Sequence, residues 1–186
     1  MQNEIFPQKT QRLLLRFEIA GFVFNCAAAA VLHFLFEWSG EELFTALFSA
    51  VNESVWEHLK IFSIPYVVWA FVEVFCVGVP FKRLAVSKVF GLYVMIITIP
   101  VFFYTYTGIV GNNIAIIDII SGFAITALAY LVSYRLITRA TFIDRYFALA
   151  AFLFAVYCVM TAFFTFAPPQ LGLFKDPQTG GYGLPV

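Results

Sequence analysis

Residues 143–166 read IDRYFALAAFLFAVYCVMTAFFTF, and from Phe147 to Phe166 the run carries no charged side chain. A helix of about 20 apolar residues extends ~30 Å, the thickness of a bilayer's hydrocarbon core. Four more segments of this kind lie upstream, near 17–38, 56–79, 84–106 and 113–137. Each must be helical, because a lone strand in hydrocarbon leaves its backbone N–H and C=O groups unpaired. No segment alternates as barrel strands do. The expected fold is an all-α integral membrane protein, a single domain over 1–186 built as a bundle of five transmembrane helices.

Composition agrees. The chain is 62% hydrophobic and only 12% charged, where a soluble domain is nearer a quarter charged. A mean hydropathy of +0.89 across the whole chain fits a polytopic protein rather than a soluble domain with one anchor. The net charge is zero, which leaves no electrostatic footprint for nucleic acid. Cys26, Cys76 and Cys158 each sit in an apolar segment without a CxxC neighbour and read as small buried hydrophobes. Ala27–Ala30 gives the first segment the look of a cleavable leader. Its length, the presence of Glu18 and Asn25, and its apolar continuation past the alanines point instead to a retained helix.

Basic residues set the orientation. Lys9, Arg12 and Arg16 precede the first segment, Lys82, Arg83 and Lys88 join the second to the third, and Arg135, Arg139 and Arg145 join the fourth to the fifth. Nine of eleven thus fall on one side, which the positive-inside rule makes cytoplasmic. The other side has Lys60 and Lys175 with Glu37, Glu41, Glu42, Glu53, Glu57 and Asp176. The expected topology is multi-pass in the cell membrane, N-terminus cytoplasmic and C-terminus outside. Trp38, Trp56, Tyr104 and Tyr106 then form an outer aromatic belt. Pro65 and Pro100 predict kinks in the second and third helices. Residues 40–50 are apolar but too short to span and suit an outer interfacial segment. The tail 167–186, with Pro168, Pro169, Pro177 and Pro185 among several glycines, cannot be a regular helix. Leu171, Leu173, Phe174, Tyr182 and Leu184 give it side chains to bury as a cap over the outer face.

Between these elements lies SAVNESVWEHLK, Ser49 to Lys60, unusually polar for this chain. Ser54-x-x-Glu57 has the spacing of a capping box, and Glu57 and Lys60 can form an i,i+3 ion pair. His33 and Glu37 are four apart and share a helix face near the outer end of the first segment. Asp118 lies a few residues into the fourth. Imidazoles and carboxylates at one depth suit a divalent metal such as Zn²⁺, Mn²⁺ or Fe²⁺. At ~100° per residue, Glu53, Glu57 and Lys60 fall on one face and His58 on another. The economical metal site is His33, Glu37 and His58, completed by Asp118 or by Glu53 or Glu57. Glu53 and Glu57 are also the candidate catalytic carboxylates. Asn52 and Lys60 are candidate ligand contacts. Glu18, Gly21, Asn25, Ala28 and Ala29 share roughly one face of the first segment, read either as a small-residue packing stripe with Asn25 as interhelical glue or, for Glu18, Asn25 and Glu73, as a proton or ion relay toward the site. HExxH, HxxxH and GxSxG are absent, so no named hydrolase is indicated.

VNESVWEHLK (Val51 to Lys60), LHFLFEWSG (Leu32 to Gly40) and TFAPPQLGLFKDPQTGGYGLP (Thr165 to Pro185) resemble a family of small bacterial multi-pass membrane proteins of unknown function. The resemblance implies one membrane domain and an ordered tail, and supplies no activity. Ceramidase-like membrane metal hydrolases resemble this chain only in having histidines and acids near one membrane face.

The expected functions are a metal- or ligand-binding protein acting on a lipid or small ligand, a small ion-coupled transporter, or an accessory subunit without chemistry. Membrane lipid is the expected partner, with a homo-oligomer or larger membrane complex open. Topology is the first thing to test, in a cysteine-free background. A cysteine at Gln178 should react with an impermeant maleimide added to intact cells, and one at Lys82 only after lysis. The opposite pattern would invert the chain.

Overall fold

A computed structural model describes residues 5–184; Pro185 and Val186 of the expected tail lie outside the described residues. The chain forms α1 (Gln8–Trp38), a single turn α2 (Leu43–Ala46), α3 (Val55–Cys76), α4 (Phe81–Val110), α5 (Ala115–Arg139) and α6 (Phe147–Phe166). Among the described residues five helices are long and apolar enough to cross a membrane, the fifth being α6 with the short turn before it, Ile143–Phe166. Among the described residues there is no strand, only an isolated bridge between Lys175 and Tyr182.

Local chemistry sets the ends. Ser54 caps α3, its hydroxyl accepting from the Glu57 N–H at 3.3 Å. Pro80 immediately precedes α4, and Gly111, at φ 90°, ends it in the left-handed region. Pro65 and Pro100 lie within helices α3 and α4. Because α4 begins at Phe81, Lys88 stands two turns inside the helix and is buried. It is therefore not a loop charge, which corrects the loop assignment made from its position beside Lys82 and Arg83.

Helices α1, α3, α4 and α5 form a ring, α1 and α4 each packing on both α3 and α5, while α6 lies outside against α4. Helix association in lipid gains nothing from the hydrophobic effect and depends on close packing and polar contacts. Here α3 supplies the large side chains. Phe62, Tyr66 and Trp69, spaced 4 and 3 apart, share one face. Each fits where a glycine leaves room. A Cβ at Gly122 of α5 would stand 2.6 Å from the Phe62 ring. One at Gly91 of α4 would stand 2.3 Å from the Tyr66 hydroxyl, and one at Gly21 of α1 2.3 Å from the Trp69 ring. The expected stripe on α1 takes part, with Glu18, Gly21, Asn25 and Ala29 buried. Asn25 donates to Phe62 O at 3.0 Å, beside Pro65, and Trp69 Nε1 donates to Phe17 O at 2.9 Å.

The outer surface is lipid-like. Phe75 is 85% and Ile109 81% exposed, exposures that would promote aggregation in water. Cys76 and Cys158 are also exposed, against the expectation of burial, and Cys26 is half-buried.

One end of the bundle is closed by Arg83, which donates to Ile137 O at 2.7 Å and to Ala140 O where α5 ends, where a cation meets the negative helix end. The other end is closed by the tail. Phe174 is buried against Trp56 and Phe164. Leu184 packs on Phe36, Ala46 and Val51, and Asn52 Nδ2 donates to Gly183 O at 2.8 Å. Leu171 stays exposed. In the 40–50 segment, Leu43, Phe44 and Phe48 face outward while Ala46, Ser49 and Ala50 are buried.

The glycine notches give a direct test. Gly91→Ala would press on the Tyr66 hydroxyl and also on Ala129 O, a backbone atom at 2.8 Å that cannot swing away. It should cost about 1–3 kcal/mol, as overpacking does, visible as a lower melting temperature in detergent. Gly108→Ala, with nothing within 4 Å of the new Cβ, should be neutral or stabilising by up to ~1 kcal/mol.

Candidate metal centre

The polar stretch Ser49–Lys60 divides into two structures with different chemistry. The first is a closed lock. Lys60 is fully buried, and its Nζ lies 2.6 Å from Glu57 Oε2, 2.7 Å from Ala46 O and 3.1 Å from Thr165 Oγ1. All three ammonium donors are used. Glu57 Oε2 also accepts from the Val51 N–H at 3.1 Å. The ion pair therefore ties α3 to the loop after α2 and to the end of α6. Only half of the expected capping box forms. Ser54 caps Glu57, but the Glu57 carboxylate turns to Lys60 and Val51, while the Ser54 N–H is taken by Asn52 Oδ1 at 2.9 Å. Lys60 has no donor left for a substrate, Glu57 commits its Oε2 to the lock, and Asn52 is spent on the loop and tail.

The second structure is half-open. His33 Nε2 lies 3.8 Å from Glu53 Oε1, and His58 Nε2 lies 3.5 Å from Glu53 Oε2. The two imidazole rings are 5.2 Å apart. Among the described residues this trio is the group whose metal-capable atoms converge, all within 4.8 Å of one another. Side-chain exposures of 26–38% leave it reachable from outside. Glu53 precedes the first turn of α3, so its carboxylate is free of the helical phase that the sequence reading imposed on it. It joins the histidines rather than Glu57 and Lys60.

The histidine protonation is constrained. His58 Nδ1 lies 2.9 Å from Ser54 O. A carbonyl only accepts, so Nδ1 carries the proton and, in the neutral ring, Nε2 presents its lone pair toward Glu53. A lone pair facing a carboxylate needs a cation between them, either a metal ion or a proton on the ring. Ligands held 2.0–2.1 Å from a tetrahedral metal stand about 3.3 Å apart; the two His–Glu contacts are 3.8 and 3.5 Å and the three ligand atoms lie within 4.8 Å of one another, so the trio would draw in slightly around an ion. A carbonyl fixing the far nitrogen is the usual outer support of a metal-bound histidine.

The remaining predicted residues go elsewhere. Glu37 is exposed, one turn beyond His33 and outside the converging trio. Asp118 accepts from Tyr106 and, at 3.2 Å, from Asn113, and so belongs to the α4–α5 connection rather than to the histidines. Glu18 and Glu73 meet deep in the bundle at Lys88, 2.7 and 2.8 Å from its Nζ. Sequence reasoning missed Lys88 because it follows Lys82 and Arg83 closely. The signal that would have found it is Pro80, which starts a helix and carries Lys88 inward.

No curated protein and no solved structure matches the chain. Residues 6–184 match the Family of unknown function (DUF6512), and the chain belongs to that family.

Proposed function

We propose that this protein binds a divalent metal ion of the zinc class through His33, Glu53 and His58, at the outer surface of the cell membrane. The observation that carries the reading is the convergence of His33, Glu53 and His58, whose ligand atoms lie within 4.8 Å of one another, with His58 Nδ1 turned to Ser54 O. Two imidazoles and a carboxylate are a donor set that zinc and ferrous iron accept. Three protein ligands leave a position free, which is the arrangement of catalytic rather than structural metal sites. A metal there would polarise an ester or phosphoester of a lipid head group, or activate a water, at the depth where head groups lie. Glu37, exposed and one turn from His33, is the carboxylate available as a base. The lock of Glu57 and Lys60 supports a second reading, an accessory subunit in which polar groups only fix the position of helices and tail.

Metal content separates the two. Protein purified in mild detergent without imidazole should hold close to one equivalent of metal by elemental analysis. His33→Ala/His58→Ala should lose it with little change in melting temperature, and Glu53→Gln should hold it more weakly. Absence of metal from the wild type after dialysis against zinc, with the double variant clearly destabilised, would leave the accessory reading.

A further inference from the structure

Four long helices each send a polar side chain to one place inside the bundle. Lys88 of α4 contacts Glu18 of α1 at 2.7 Å and Glu73 of α3 at 2.8 Å, and Ser133 of α5 donates to Glu18 Oε1 at 2.8 Å. Glu18 and Lys88 are 3% exposed, and Glu73 and Ser133 are 0% exposed. Two carboxylates facing one ammonium leave one negative charge in excess. Among the described residues no second basic side chain pairs with either acid. The other titratable neighbours are the phenols of Tyr66 on α3 and Tyr130 on α5, whose rings lie 5.3 and 4.8 Å from Lys88 Nζ, and the Cys26 thiol beside Tyr130. The side chains of α6 facing Lys88, including Phe147, Ala150 and Phe154, are apolar. An unbalanced charge at this depth is strongly disfavoured.

The two acids are not equivalent. Both oxygens of Glu18 have a donor, Lys88 at one and Ser133 at the other. Glu73 has only the Lys88 contact, 2.8 Å from its Oε2, and neither of its oxygens makes a hydrogen bond of good geometry; the hydroxyls of Tyr66 and Tyr130, whose rings flank Lys88, are also buried without a partner. Buried groups of this kind are nearly always satisfied. Unpaired oxygens around an excess negative charge are what a small cation would fill.

We propose that this cluster is a proton-binding site inside the membrane domain. Glu73 takes up one proton from solution, which brings the cluster to neutrality without breaking any other bond. The Tyr66 and Tyr130 hydroxyls, buried without partners in the same cluster, are the oxygens that its new O–H would turn to. Clefts reach the cluster from two sides. One, of about 200 Å³ between α1 and α5, touches Glu18 and Tyr130. The other, of about 180 Å³ between α3, α4 and α6, touches Tyr66 and Lys88. The site is independent of the metal centre and shares no residue with it.

Infrared spectroscopy of the full chain in lipid nanodiscs tests the proposal through the carbonyl stretch of a protonated carboxyl at neutral pH. The wild type should show one such band, shifted in heavy water. Glu73→Gln, in which Glu18 and Lys88 balance, should lose it. Lys88→Gln, which leaves two acids and no ammonium, should double it. A wild type without the band, or a band that survives Glu73→Gln at full strength, would overturn the proposal. A band that appears only when sodium is removed would also overturn it, in favour of a metal-cation site. The wild-type and Glu73→Gln spectra decide the matter even if Lys88→Gln does not fold.

Discussion

Lys88 is all but sealed from solvent. Two turns into α4 and 3% exposed, it has only what the neighbouring helices bring to it. They bring Glu18 from α1, Glu73 from α3 and the rings of Tyr66 and Tyr130 from α3 and α5. In hydrocarbon, a sliding or rotated helix would leave a bare charge, so the ion contacts hold the four ring helices to one register. The glycine notches act in the same direction by shape. Phe62, Tyr66 and Trp69 can enter α5, α4 and α1 only where Gly122, Gly91 and Gly21 remove a side chain. Charge and shape thus select the same arrangement, and α6, which takes no part in the cluster, lies outside the ring.

The same rule repeats at the tail end with a different outcome. Lys60 is buried with three acceptors, and the lock it makes is complete. It holds the loop after α2 and the end of α6 against α3. That fixes where Glu53 leaves the loop, and hence where its carboxylate meets His33 and His58. The half-open trio rests on a closed lock built from the same short stretch of sequence. A site positioned this way keeps its geometry without spending its own side chains on the fold.

The five spans were legible because lipid allows one answer to a long apolar run. The polar end was legible because charges are scarce in this chain, and His33, His58 and Glu53 were all among the candidates. The grouping within that end was less so. Glu53 was read by helical phase, yet it stands before the helix, where phase has no meaning. Asp118 was read by depth, yet Tyr106, twelve residues earlier on the neighbouring helix, reaches it first. Lys88 was grouped with the loop charges Lys82 and Arg83, although the expected span 84–106 already contained it and the helix begins at Phe81. Which face of a helix meets which neighbour depends on pairs such as Tyr66 with Gly91, and sequence spacing within one helix carries no record of a partner on another.

The buried ion cluster organises the ring, and thermal unfolding in detergent of two variants tests that role most directly. Lys88→Met strands two buried acids and should lose about 3–5 kcal/mol, with a clear fall in melting temperature. Glu18→Gln/Glu73→Gln/Lys88→Met removes every charge together and should recover most of that loss. A Lys88→Met protein that melts with the wild type would contradict the account, because the cluster would then contribute nothing to holding the helices in place.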